Sequence, residues 1–346
     1  MIGWADATLH YPRFGGSCSV KVLVTGAAGF LGSALVEAIR GRGWEVRAFV
    51  RPGRQRSWPE GVEEFVGDLC EESCVRDAVA GTQAVVHAAA RVSTTGTWEE
   101  FATVNVRATM DLLQAARQAG VQRFVHVSSL SVVAVPRDGY TVTDESPYED
   151  ESRARGHYSR SKLAADRLAL WEARQGAPVV VLRPGLLWGP GRRPPLARQS
   201  FLWKSYRCLL ARPDYPLPLS HVRSVAQAAV CAVESGPEAV GRAFTVVDVH
   251  VPQQAWLEAY REAMGERWRP VYLPVRLVEL AARTAEVGFR ILRRRPPVTA
   301  HQVARATYRA WYDCRSAQTV LGWQPRTDWR RDLQEVVESL KSEPRG

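Results

Sequence analysis

The chain has 346 residues, 46% of them apolar, and a formal net charge of +10. That is enough apolar material for a large core, which excludes a disordered chain and fits one big α/β domain with a smaller lobe. The charge is spread thinly, with no basic stripe interleaved with aromatics, so no nucleic-acid partner is expected.

Arginine stands in for lysine almost everywhere, since the only lysines are Lys21, Lys162, Lys204 and Lys341. Such a basic exterior favours anionic partners, such as phosphorylated cofactors or acidic lipid headgroups. Residues 1–19 have no apolar run behind a basic start, so they do not read as a signal peptide. They read as a disordered leader, or as the result of a misplaced start codon. Lys21–Thr25 is a short apolar run ending at glycine, and reads as a buried strand. Residues 30–40 follow with Leu31, Leu35 and Ile39 on one helical face, and Gly41 and Gly43 stop that helix. Glu45–Val50 is the next strand, which completes a βαβ unit.

The alternation continues. Val62–Val66, Ala84–Ala88, Arg123–Ser128 and Val179–Arg183 read as strands. Cys74–Ala80, Phe101–Ala119 and Tyr158–Gln175 read as helices. The pattern predicts a doubly wound parallel sheet of Rossmann type. Beyond Pro184, residues 189–219 are rich in Pro, Arg and aromatics and read as an irregular flap. Val222–Glu234 reads as a helix and Ala243–Val247 as a strand returning to the sheet. The remainder reads as mostly helical. The expected division is a cofactor domain over 20–190 with the returning elements at about 222–248. A substrate lobe is expected from 191–221 and 249–340.

Gly26, Gly29 and Gly32 have GxxGxxG spacing between the first strand and the first helix. The first permits a sharp turn, the second a close approach of backbone N–H groups to a pyrophosphate, and the third tight packing of helix on strand. The helix N-terminus then faces the phosphates. The second strand runs into Arg51, with Arg54 and Arg56 beyond, where an NAD-selective site offers Asp or Glu to the ribose. A guanidinium suits a 2′-phosphate, so NADP(H) is the expected cofactor, with NAD(H) as the second choice. Asp68 either accepts from an adenine amino group or starts the next helix. Ala88, Ala89 and Ala90, a run of tiny side chains, either permit close approach of the cofactor or reflect tight helix packing.

Tyr158 and Lys162 lie one helical turn apart. Tyrosine titrates near pH 10. A neighbouring ammonium at about 4 Å is worth about 4 kcal/mol at intermediate dielectric, which matches the shift an acid/base needs near neutrality. Ser128 and Ser129 end a strand at the edge where parallel sheets bind ligands, and either hydroxyl suits a developing oxyanion. His126 and His157 have no partner cluster and are expected to be packed or exposed.

Together TGAAGFLG at 25–32, GDL at 67–69, HAAA at 87–90, VN at 104–105, VSS at 127–129, YSRSK at 158–162 and LRPGLLWGPG at 182–191 resemble the extended short-chain dehydrogenases/reductases over about residues 20–250. Within them the chain looks most like the 3β-hydroxysteroid dehydrogenase-like and dihydroflavonol reductase-like branch. The resemblance implies Ser129, Tyr158 and Lys162 as catalytic residues, Asp68 at adenine, and Asn105 beneath the site, ordering the lysine. It gathers cofactor contacts at Gly26, Gly29, Phe30, Leu31, Gly32, Arg51, Asp68, Leu69, Ala88, Ala89, Ala90, Asn105, Ser128, Tyr158, Lys162, Pro184, Gly185 and Leu186. It also implies a homodimer through the helices at 101–119 and 158–175. HVRSVAQAA at 221–229 fits the branch, except that Arg223 and Ser224 stand where acidic or amide residues are usual.

The expected reaction interconverts a ketone and a secondary alcohol on a bulky hydrophobic substrate: a steroid, an isoprenoid or a long-chain β-keto/β-hydroxy lipid. Nucleotide-sugar epimerase or dehydratase activity is the alternative, and a non-catalytic cofactor-binding scaffold is a third. Phe201, Leu202, Trp203, Tyr206, Leu209, Leu210, Tyr215, Leu217 and Leu219 read as a lid over the substrate, or as core or dimer packing. Residues 275–295 form an amphipathic stretch with a basic end, too charged to span a bilayer. It either packs on the core or lies on a membrane surface. The six scattered cysteines have neither CxxC spacing nor a neighbouring cluster, so no metal site is expected. They read as reduced thiols of a cytoplasmic protein, which membrane contact would place at the inner face.

Overall fold

The computed structural model of the protein describes residues 20–93, 95–151, 156–195, 200–209, 212–291, 303 and 307–342. The expected leader 1–19, Leu210 and the basic residues 293–295 lie outside them. In chain order the first half holds β1 (Lys21–Thr25), α1 (Phe30–Gly41), β2 (Glu45–Val50), β3 (Val62–Val66), α2 (Glu72–Val79), β4 (Ala84–His87), α3 (Trp98–Ala102), α4 (Ala108–Gln118) and β5 (Arg123–Val127). A π-helical turn, Thr103–Arg107, joins α3 to α4. Next come β6 (Tyr140–Val142), α5 (His157–Arg174), β7 (Val179–Pro184), β8 (Leu186–Trp188), β9 (Ser200–Trp203), β10 (Tyr206–Leu209), β11 (Pro216–His221), α6 (Val222–Glu234) and β12 (Ala243–Val246). The chain ends with β13 (Val249–Pro252), α7 (Gln253–Met264), β14 (Arg269–Tyr272), α8 (Val275–Ile291), β15 (Ala310–Tyr312) and helices over Arg315–Val320 and Trp329–Ser342.

Seven parallel strands form the central sheet in the order β12-β7-β5-β4-β1-β2-β3. The apolar runs of the inner strands follow from burial on both faces. Val22 and Val24 point to a layer holding Leu35 and Ile39 of α1 and Val225 and Ala229 of α6. Leu23, between them, points to the opposite layer, with Leu112, Leu113 and Ala116 of α4 and Ala169 of α5. This is the Rossmann-type α/β architecture that the alternating elements predict.

The segment 189–219 is not simply irregular. β9 and β10 form an antiparallel hairpin around Lys204 and Ser205, with Lys204 at φ 52°, and β14 adds alongside β10. β11 pairs with β13 and β8 in a second small sheet. The C-terminal part is mostly helical, as expected, with the short strands β13, β14 and β15 between its helices. The apolar residues expected to form one lid divide between two environments. Leu209, Tyr215, Leu217 and Leu219 join Trp188, Trp256 and Val336 in the core of the lobe. Leu202 and Trp203 are exposed.

Candidate active site

The glycine turn after β1 has the geometry that a pyrophosphate requires. Gly26 sits at φ +70°, and a Cβ there would lie 2.9 Å from the backbone of Ala89. A Cβ on Gly32 would lie 2.0 Å from the Gly26 carbonyl oxygen. Gly29 starts α1 without a side-chain cap, and the first turn carries no acidic residue. The helix therefore offers free N–H groups and uncompensated positive dipole to an anion. Leu31 is buried in the core beneath this turn, with Phe30 packed at its margin. Ala88, Ala89 and Ala90 are partly exposed beyond β4, so the turn and the loop form one small-residue rim.

Arg51, Arg54 and Arg56 are exposed at the end of β2. Arg56 is the most ordered of them. Its guanidinium lies 3.9 Å from the centre of the Trp58 ring and donates to Ser33 Oγ at 3.1 Å, one residue past Gly32. Asp68 accepts from the Cys70 N–H at 2.9 Å, which supports the turn into α2, while Leu69 is buried.

The serine pair divides cleanly. Ser128 is buried, and its hydroxyl donates to Asp166 Oδ2. Ser129 begins the short 3-10 helix Leu130–Val132, where its Oγ accepts from the Ser131 N–H at 3.2 Å, and its hydroxyl faces the Tyr158 phenol. Ser129 is therefore the hydroxyl that the fold brings to the phenol. Burial raises the phenol above its ordinary value, and the neighbouring Ser129 hydroxyl works the other way.

Lys162 is buried one turn along α5, and its Nζ donates to the Val127 carbonyl at 2.6 Å. Burial lowers this ammonium to about 8, with Asp166 pulling upward. The expectation that Lys162 itself draws the phenol down is thus not met. The backbone carbonyl holds the ammonium, and desolvation dominates at the phenol.

A buried network that no sequence spacing announces stands behind these groups. Arg183 NH2 reaches Asp166 Oδ1 at 2.8 Å and Arg183 Nε reaches Oδ2 at 3.0 Å, with both side chains almost wholly buried. The Tyr148 hydroxyl donates to Asp166 at 2.6 Å. Asp166 lies four residues beyond Lys162 on α5, a spacing that a solvated acid on a helix shows equally well.

Asn105 lies in the π-helical turn and is buried. Its Oδ1 accepts from the Arg91 N–H at 2.7 Å, and its Nδ2 donates to Ser161 Oγ at 2.9 Å. Ser161 in turn donates to the Tyr158 carbonyl at 2.8 Å. Asn105 thus acts on the helix of the lysine through Ser161. Pro184, Gly185 and Leu186 follow β7. Here glycine is required by packing: a Cβ on Gly185 would lie 2.4 Å from the Pro218 carbonyl oxygen. Ser224, at the departure noted in 221–229, donates to the buried Asp248, and Arg223 pairs with Glu335. His126 is buried, and His157 is exposed beside Trp98 and Phe101.

Residues 22–246 match the NAD dependent epimerase/dehydratase family. The chain belongs to that family. Its class is that of the nicotinamide-dependent enzymes acting on CH–OH and C=O groups. It is similar to sterol demethylase protein B of Methylococcus capsulatus, at 32% identity over 75% of this chain and 79% of that protein. It is also similar to 2-alkyl-3-oxoalkanoate reductase of Stenotrophomonas maltophilia, at 27% identity over 92% and 99% of the two chains. Among solved structures, gox2253 superposes with a TM-score of 0.81 at 25% identity, covering 94% of this chain and 98% of that one. MoeE5 in complex with UDP-glucuronic acid and NAD superposes with a TM-score of 0.69 at 27% identity, covering 93% and 99%.

Proposed function

We propose that the protein is an NADP(H)-dependent oxidoreductase that interconverts a ketone and a secondary alcohol on a bulky hydrophobic substrate, a steroid, isoprenoid or long-chain β-keto/β-hydroxy lipid. One observation carries the reading: the Ser129 hydroxyl faces the Tyr158 phenol at the C-terminal end of β5, one helical turn from a buried lysine. The glycine turn fits a dinucleotide, because Gly26 and Gly32 leave space that a Cβ would fill. When bound, the nicotinamide supplies or takes the hydride. Ser129 orients the substrate oxygen by donating to it. Tyr158 gives that oxygen its proton, and a phenol held above its ordinary value is in the protonated form that reduction needs. Lys162 fixes α5 against β5 through Val127 and keeps a positive charge beneath the site below about pH 8. The reductase relative, named for a 3-oxoalkanoate, supports the substrate class. The test is a screen of hydrophobic ketones and alcohols with NADPH and NADH, following the absorbance of the reduced nicotinamide. No turnover with any of them would count against the reading.

The cofactor preference rests on Arg51 and on Arg56, which Trp58 and Ser33 hold over the first turn of α1. Replacing both by glutamate should weaken NADPH and leave NADH nearly unchanged. A wild type that binds NADH more tightly than NADPH would reject the preference. A nucleotide-sugar epimerase is the second reading, favoured by the likeness to MoeE5 with its UDP-glucuronic acid. Binding of a UDP-sugar would support it over the first.

We further propose a peripheral membrane contact through α8, where Leu277 and Leu280 are 63% and 58% exposed beside Arg276 and Arg283. Among the described residues no helix is long and apolar enough to cross a membrane. Flotation with anionic vesicles tests the contact, and absence of binding discards it. A homodimer through α4 and α5 is supported by the exposed Met110 and Trp171 on those helices. A sedimentation mass that stays monomeric at high concentration would dismiss it.

A further inference from the structure

Hydrogen bonds run in a line between the two halves of the site. The Ala89 N–H donates to Thr25 Oγ1 at 3.2 Å. Thr25 Oγ1 lies 2.7 Å from His87 Nδ1, and His87 Nε2 lies 2.9 Å from Thr109 Oγ1. Thr109 Oγ1 donates to the Asn105 carbonyl at 2.9 Å. Thr25, His87 and Thr109 are all completely or almost completely buried.

The two ends force one direction of donation. An amide N–H only donates, and a carbonyl only accepts. Thr109 spends its one hydrogen on the carbonyl, so its oxygen accepts from His87 Nε2–H. A neutral imidazole carries a single hydrogen, which leaves Nδ1 to accept the hydrogen of Thr25. An imidazolium would aim a second donor at Thr25 Oγ1 and strand the Thr25 hydrogen in a buried position. The neighbours of His87 are consistent with neutrality. Thr25 faces it from β1, Phe124 and His126 from β5, Thr109 from α4, and the Lys162 ammonium from α5. Burial and that ammonium lower His87 to about 3.

We propose that His87 is a positioning residue, fixed as the neutral Nε2–H tautomer, that couples the loop at Ala88–Ala90 to the π-helical turn carrying Asn105. At one end Ala89 packs on Gly26, where the Cβ clearance is only 2.9 Å, so a shift of Ala89 reaches the phosphate turn. At the other end Asn105 clamps Arg91 and, through Ser161, the Tyr158 carbonyl. One imidazole therefore sets the distance between the dinucleotide turn and the helix of the catalytic tyrosine. The coupling to cofactor rests on the function proposed above, whereas the tautomer does not.

Nitrogen NMR on histidine-labelled protein reads the tautomer without any cofactor, and fluorescence titration with NADPH reads the coupling. Thr109→Val removes the hydroxyl at nearly constant shape, at the end remote from the dinucleotide turn. The wild type should show Nδ1 unprotonated and Nε2 protonated near neutral pH. Thr109→Val should disturb that signature and weaken NADPH about three- to tenfold, the effect of one hydrogen bond. Thr109→Ser, which restores the hydroxyl, should return both to wild-type values. A role confined to the helix would leave NADPH affinity unmoved. His87 protonated at Nδ1, or Thr109→Val with unchanged affinity, overturns the proposal. A wild type that binds neither NADPH nor NADH while showing the Nε2–H signature overturns the cofactor reading and the coupling, and leaves the hydrogen-bonded line standing.

Discussion

Asp166→Asn breaks the buried ion pair behind the site. Asp166 receives two hydrogen bonds from Arg183, at 2.8 and 3.0 Å, and others from Ser128 and Tyr148. Asparagine keeps the shape and removes the charge, so the Arg183 guanidinium stays buried without its counter-ion. Breaking one partner of a buried pair costs about 3–5 kcal/mol. Urea denaturation of the single variant should show a loss of that size. The double variant Asp166→Leu with Arg183→Met should lose less than the sum of the two singles, because no charge is stranded. A single-variant loss below about 1 kcal/mol, outside the range of a broken buried pair, would refute the reasoning. Simple additivity in the double variant would refute it too.

Acid should destabilise the protein. His87 is held near 3 by burial, against about 6.5 when unfolded, so below pH 6.5 the unfolded chain binds the extra proton. Stability is full above that value and falls with pH, by about 2 kcal/mol at pH 5 from His87 alone, and His126 adds to the fall. A denaturation midpoint unchanged between pH 7.5 and pH 5, conditions that straddle the free histidine value, would contradict this. Lys162 should produce an alkaline decline in kcat/KM near pH 8, since burial lowers it to about 8; a profile flat to about pH 10, the ordinary lysine range, would deny its charge a role. Gly32→Ala should abolish measurable NADPH binding, because the added Cβ would lie 2.0 Å from the Gly26 carbonyl oxygen. Wild-type affinity in that variant would mean that the turn is not the phosphate site.

The inner strands of the central sheet were legible because they are covered on both faces and read as apolar runs, and the half-exposed edge strand Val62–Val66 was legible from its place in the alternation. Lys21–Thr25, Glu45–Val50 and Val62–Val66 have the bounds that their sequence implies. The β9–β10 hairpin was not, because Trp203, Lys204 and Tyr206 are exposed and leave no alternation for a buried face. The pairing of Tyr158 with a serine was readable, but only resemblance favoured Ser129 over Ser128. What separates them is Asp166, which occupies Ser128. A buried aspartate and an exposed one look alike in a helical sequence, so Asp166 gave no signal of its own. The restraint on Lys162 is a backbone carbonyl, which no side-chain pattern can display.

The most direct measurement is Tyr158→Phe, assayed for turnover on the ketone or alcohol found by screening and, in parallel, for NADPH binding. Loss of turnover with cofactor affinity retained is the predicted result. Turnover near the wild-type rate in that variant would contradict a proton transfer through the phenol.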